Sequence, residues 1–167
     1  MSDVNVVSGH VVDAAFHIHY RLGPGLFESV YARLLERKLL KRGLAVERQA
    51  RVAFEFDGEH FDNGFRADLL VERCVLVEIK SVVELTPVYF MQVRTYLRLL
   101  NYPVGLLINF NVDLIKNGIK RLTNDRSPYG STFMLGPQMN RHPQPGSTET
   151  GIPNNVSSEK GSLGDGE

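Results

Sequence analysis

Between Gly64 and Ser81 the chain reads GFRADLLVERCVLVEIKS, two apolar strand-like runs joined by a short polar turn. Asp68 interrupts the first run, and Glu78 and Lys80 interrupt the second. Strand side chains alternate between faces, so a slip of one residue would send a whole apolar set into water. A two-residue turn would set Asp68 opposite Val77 and turn Glu78 to the other side. A three-residue loop, or one of five, sets 68 opposite 78 and 66 opposite 80. Only the latter choice sorts the residues. Ala67, Leu69, Val71, Val75, Val77 and Ile79 then share one face. Arg66, Asp68, Leu70, Leu76, Glu78 and Lys80 share the other. The apolar pattern alone thus gathers Asp68, Glu78 and Lys80.

The flanking sequence supplies the rest of the frame. Val11, Val12, Ala15, Ile18 and Leu22 recur near helical spacing from about residue 9 to 21. The segment LGPG (22–25) breaks the chain, and a second helix is expected over about 26–42, with Gly43 as its C′ residue. From Ala45 the period becomes two, and Asp57-Gly58 signals a two-residue hairpin. Pairing across that turn puts Phe54, Phe56, Phe61, Phe65 and Leu69 on one face, and Glu47 and Gln49 on the Asp68 face; a bulge near Asp62-Asn63 would shift this. Thr86-Pro87 marks the start of a third helix reaching about Leu100. The apolar run PVGLLINF (103–110) reads as a strand covered on both faces, parallel to Val75–Lys80 through a right-handed crossover. A short helix is expected around 113–122. The order is α-α-β-β-β-α-β, an α/β fold with a mixed sheet flanked by helices.

At 167 residues the chain has room for one well-buried domain. We expect it over residues 1–125, with 126–167 a disordered tail, because the Gly-, Pro-, Ser- and Asn-rich end lacks the apolar content to offset ordering. With 19 basic and 19 acidic residues the chain is no histone-like polycation, although a local basic patch is allowed. Cys74 is the single cysteine, which excludes an internal disulfide and a cysteine-rich zinc site. No signal peptide or membrane span is evident, so a cytoplasmic protein is expected. His17 and His19 diverge on a helix, and no phosphate-binding loop is present.

Two opposed carboxylates repel unless a cation compensates. Hard oxygen ligands of this kind suit Mg²⁺ or Mn²⁺. Lys80 beside Glu78 offers a point charge for a phosphate oxygen. For an isolated D…ExK pattern, a solvated ion-pair ladder is the favoured explanation. Two further features bear on the choice. Glu28 borders the apolar stripe of the second helix, and Gln92 and Tyr96 stand four apart on the third. Singly, each has an ordinary explanation: a first-turn acid and a boundary polar pair.

Asp68 followed by Glu78-Ile79-Lys80 in an αβββαβ frame resembles the PD-(D/E)XK nuclease superfamily. GLFESVY (25–31) reads G-x-x-E-x-x-Y through Gly25, Glu28 and Tyr31. With LGPG (22–25), VERQ (46–49), FRADLLV (65–71), VEIKS (77–81), LTPV (85–88) and LLINFN (106–111), it is similar to the GxxExxY protein family of that superfamily. The likeness covers about residues 4–124. QVRTY (92–96) also fits the Q-x-x-x-Y element of RecB-like nucleases. Where family members often carry His-Glu-Ala before the glutamine, this chain has Tyr89, Phe90 and Met91.

The resemblance implies a PD-(D/E)XK nuclease-like core with an extra N-terminal helix. It implies a divalent metal, Mg²⁺ or Mn²⁺, held by Asp68, Glu78, the Ile79 carbonyl and Glu28. Lys80 would be the catalytic lysine and Gln92 would orient lysine or substrate, with Tyr96, Tyr31 and Gln49 in support. The implied partner is nucleic acid, DNA above RNA, with phosphate contacts from Arg33, Arg37, Lys116, Lys120 and Arg121. The alternatives are a catalytically silent nucleic-acid-binding or regulatory module that retains the fold, and a structural partner protein whose charged face is an interface.

Overall fold

Two helices precede the sheet. The computed structural model describes residues 3–124; the tail expected over 126–167 lies outside the described residues. Helix α1 (Val4–Leu22) starts where Asp3 accepts a hydrogen bond from the Asn5 amide, five residues earlier than the periodicity suggested. It buries Val7, Val11, Ala14, Ala15 and Ile18. Gly23, at φ 70°, ends it, a conformation that costs glycine little. Helix α2 (Glu28–Lys41) runs back along α1 and buries Tyr31, Ala32, Leu35 and Leu39.

Five strands follow: β1 (Val46–Phe56), β2 (Glu59–Val71), β3 (Val75–Lys80), β4 (Val104–Asn109) and β5 (Ile119–Thr123). They lie in that spatial order. β3 and β4 are parallel, joined through α3 (Pro87–Leu100), and the other neighbours are antiparallel. The parallel pair is buried along its length, which explains the near-continuous apolar runs. Two cores result. One lies between the sheet and α1–α2, with Leu69, Val71, Val77, Ile79, Leu106 and Ile108. The other lies against α3, with Leu70, Leu76, Leu107, Val93 and Leu97. At Gly105 any Cβ would come 2.7 Å from Val93 Cγ1, so glycine lets α3 sit down on the sheet.

The β2–β3 register is the one the apolar pattern selects. Leu69 pairs with Val77 and Val71 with Val75 across a three-residue loop, Glu72 to Cys74. The first hairpin has its two-residue turn at Asp57-Gly58, both at positive φ, with Phe56 opposite Glu59.

Three expectations are corrected. Ala67 and Phe65 do not share a face with Leu69; they pack with Leu70 in the α3-side core. The alternation resets where Gln49, at φ 54°, leaves the β1–β2 ladder and Asp68 turns its carboxylate to form side-chain bonds instead. The register also shifts between Val52, opposite Phe65, and Phe54, opposite Phe61, which places the extra residues of β2 at 62–64, in line with the bulge expected near Asp62-Asn63. Finally, the helix expected over 113–122 is one four-residue turn, α4 (Ile115–Gly118), followed by β5. β5 covers the open edge of β4, and Gly118 sits where a Cβ would meet the Asn109 carbonyl.

Candidate active site

Beyond Leu69–Val77 the β2–β3 pairing passes to side chains. Asp68 Oδ2 accepts the Ile79 amide at 2.9 Å, taking a hydrogen bond the ladder would otherwise have supplied. Its other oxygen accepts from Gln49 Nε2 at 2.9 Å. The Gln49 distortion thus serves a purpose, since it aims an amide at Asp68. Asp68 is half-buried and fixed at both oxygens.

Glu78 lies one pleat along, on the α3 side. Its side chain is 4% exposed, and Lys80 Nζ donates to Oε1 at 2.9 Å. Oε2 is buried with no hydrogen-bond partner. Burial, reinforced by the negative charge of Asp68, pushes the Glu78 carboxyl up to about 7, against the pull of Lys80 and of the Asp68 backbone amide. For Lys80, burial acts against the ammonium, but Glu78, Asp68 and Glu28 outweigh it and hold the group above the ordinary lysine range. Its ammonium also lies 5.1 Å from the centre of the Tyr89 ring. Lys80 is therefore charged at neutral pH. A solvated ion-pair ladder is not what these residues form, because Glu78 is buried.

Glu28 reaches this region from the other layer. It opens α2, and its Oε1 accepts the Ser81 amide at 3.0 Å. Ser81 Oγ donates to the Leu26 carbonyl at 2.8 Å, so two bonds join the end of β3 to the start of α2. Tyr31 holds the same loop from below. Its hydroxyl donates to the Gly23 carbonyl and accepts from the Leu26 amide, while its ring stacks on Phe110 at 4.2 Å. Gln92 Nε2 donates to the Tyr96 hydroxyl at 2.9 Å, and the Tyr96 ring stacks on Phe65.

Asp68, Glu78, Ile79, Lys80 and Gln49 are thus brought together. Glu28 is joined to them through Ser81, and its charge is felt at Lys80. Among the described residues, no group of three or more acidic, histidine or cysteine side chains is placed to hold a metal ion, Glu28, Asp68 and Glu78 included. The basic residues are dispersed. Arg33 and Arg37 are exposed on α2, and Lys116 is exposed on α4. Lys120 lines a groove of about 360 Å³ with Phe90 and Arg94. Arg121 binds Ser8 Oγ at 2.6 Å and Asn5 Oδ1 at 2.9 Å, tying β5 to α1.

Two positioning residues are absent from the candidates the sequence offered. Asn109 is 1% exposed at the end of β4. Its amide accepts from Val82 N and Asn111 N and donates to the Val82 carbonyl, clamping the loop after Lys80. Ser81 is the other. A polar residue closing the apolar run LLIN was the available hint for Asn109. His19 is remote from this cluster in its bonding, with Nε2 2.7 Å from the Val112 carbonyl oxygen.

No helix of the described residues is long and apolar enough to cross a membrane. No curated protein and no solved structure matches the chain. The family model of the PD-(D/E)XK nuclease superfamily matches residues 5–122, a span that holds the whole carboxylate–lysine cluster, and the chain belongs to that superfamily.

Proposed function

We propose that this chain hydrolyses phosphodiester bonds in nucleic acid, DNA in preference to RNA, with Mg²⁺ or Mn²⁺ as cofactor. Nucleases of this superfamily typically use divalent metals. The observation that carries the reading is Glu78 Oε2, a buried carboxylate oxygen with no donor, beside a second carboxylate and a lysine. A buried oxygen of this kind is costly without a partner, and an all-oxygen set suits a hard cation. Asp68, Glu78, the Ile79 carbonyl and Glu28 would hold the ion. When bound, it supplies Lewis-acid stabilisation at phosphorus and a water of lowered pKa.

The chain's own groups do the rest. Gln49 and the Ile79 amide fix the Asp68 carboxylate. Lys80, charged and partly shielded from solvent, meets the negative charge that develops on the phosphate oxygens in the transition state. Gln92 and Tyr96 form a polar pair on α3, available to orient substrate or lysine. The alternative reading is a silent nucleic-acid-binding or regulatory module. Its support is that Lys80 is bonded to Glu78 and Gln92 to Tyr96, so both are already engaged.

The test is cleavage of single-stranded DNA, duplex DNA and RNA with Mg²⁺ or Mn²⁺, alongside metal-induced thermal shifts. Wild type should cut, and Lys80→Ala and Asp68→Ala should each lose on the order of 10²–10³ in rate, as for loss of an electrostatic stabiliser. Only Asp68→Ala should also lose the thermal shift. A wild type that shifts with nucleic acid but never cuts supports the silent module. Equal cutting by all three proteins removes the assigned site.

A further inference from the structure

The outer surface of the α1–α2 pair carries a groove of about 470 Å³ that the carboxylate site does not use. Ile18, Leu22 and Leu34 are among its apolar lining; Arg21, Arg37, Lys38 and Lys41 supply its charge. No carboxylate lines it. The acids on the two helices are committed elsewhere. Asp13 is bound by Arg42, Glu36 by Arg48 at 2.8 Å, and Glu28 by the Ser81 amide. The four groove cations therefore face one another without a counter-charge among the described residues, an arrangement that repels itself and favours a polyanion.

Two observations say which polyanion. The groove shares α2 with Glu28. At 1.5 Å per residue, Arg37 and Lys41 lie about 14 and 20 Å further along the helix. At the α1–α2 junction, at the Glu28 end of α2 and outside the groove's own lining, Tyr20 is 88% exposed and Phe27 is 82% exposed. Phe27 occupies the N-cap of α2 and makes no cap bond there. Ser, Thr, Asn or Asp would stabilise the helix more at that position, so its aromatic ring has no account in the fold. Cations that track a backbone, with exposed aromatic rings beside them, form the pattern that holds unpaired nucleic acid. A duplex keeps its bases stacked inside and has no use for the rings.

We infer that the α1–α2 groove binds the phosphates of a single-stranded segment of the substrate as it leaves the carboxylate site, with Phe27 and Tyr20 stacking its bases. This rests on the nuclease reading above and extends it to a substrate form and a direction of travel.

Binding of a labelled oligothymidylate of about 20 nucleotides, in chelator so that no cleavage occurs, tests it by anisotropy between 50 and 200 mM salt, the range over which phosphate contacts are most visible. Arg37→Gln/Lys41→Gln should weaken binding about tenfold at the low-salt end. It should lower the salt slope by about 1.4, or 0.7 per lost phosphate contact on a single strand. Phe27→Ser should weaken binding about tenfold with the slope unchanged, as expected for a stacked base. It should raise the melting temperature, since it installs a better cap, which separates lost stacking from lost folding. Arg51→Gln, a charge removed from β1, should change nothing. The inference is overturned if the double variant keeps the wild-type slope. It is overturned equally if duplex of the same length binds as tightly, or if polyglutamate displaces the strand as well as unlabelled oligothymidylate does, which would mark an acidic-peptide surface. Should wild type cleave DNA while the variants bind like wild type, this inference falls and the nuclease reading stands. A wild type that neither cleaves nor binds removes both.

Discussion

Asn109 offers the sharpest test of how the site is held, because it is buried and its work is all hydrogen bonding. Its side chain makes three bonds: from Val82 N at 3.1 Å, from Asn111 N at 3.1 Å, and to the Val82 carbonyl at 2.8 Å. Asn109→Ala deletes all three and leaves three backbone groups seeking partners. At about 1 kcal/mol net each, the loss is about 3 kcal/mol. For a domain of this size that lowers the melting temperature by about 10 °C. Urea denaturation read by circular dichroism gives the loss directly, with an unchanged m-value showing that the variant still folds as a unit. Val82 follows Ser81, which binds both Glu28 and Leu26. If Asn109 positions the acid through this loop, Asn109→Ala and Glu28→Ala, the latter removing the acceptor of the Ser81 amide, will be non-additive by about 1 kcal/mol in a double-mutant cycle. A loss under about 0.5 kcal/mol, the range of an ordinary surface change, would show that water replaces the clamp. Strict additivity would refute the coupling between the loop and Glu28.

Two further outcomes follow from the packing. Gly105→Ala places a methyl 2.7 Å from Val93 Cγ1 and 3.1 Å from Leu97 Cδ1, and a helical valine has little rotamer freedom to yield, so about 1–3 kcal/mol of stability should be lost; a neutral result in urea would mean that α3 does not seat on β4. Burial, with the Glu72 charge behind it, pushes the Cys74 thiol up, so at pH 7 it stays protonated and should react with a disulfide reagent only as the β2–β3 hairpin opens; a native-state rate equal to that of free cysteine would contradict its burial.

The register of β2 and β3 was legible because it rests on apolar residues, whose misplacement would be costly on every second position. The same logic failed at Ala67. It assumes unbroken alternation, and Gln49 breaks it at φ 54° without the glycine that would have announced a left-handed residue. The short last helix was misread for a related reason. Residues 115–122 keep roughly helical spacing, yet the open edge of β4 draws residues 119–123 into the sheet, and Asn117-Gly118 was the breaker signal there. In the site, Asp68, Glu78 and Lys80 share one hairpin, so their proximity could be worked out locally. Asn109 and Ser81 act across 27 and 53 residues of chain, on Val82 and Glu28. Nothing in their neighbours along the sequence encodes those partners.

The burial of Glu78 bears on why such a cluster persists at all. A ladder of exposed ion pairs costs little and contributes little. Glu78 and Lys80 are instead 4% and 13% exposed, with Asp68 adding a second negative charge nearby. Raising Glu78 from 4.5 to about 7 corresponds to on the order of 3 kcal/mol against its ionised form. One lysine does not cancel this, and Oε2 remains without a donor. An apolar pair of similar volume would hold the same strands at lower cost, since buried ion pairs are often replaceable without loss. The alternation of β3 would accept one readily, because Leu76 and Leu107 on the same side already pack against α3. The fold therefore does not need the two acids where they are. What they provide is a shielded excess of negative charge at the end of β3, with Asp68 tethered to Gln49 and the Ile79 amide, which the proposed divalent cation would neutralise.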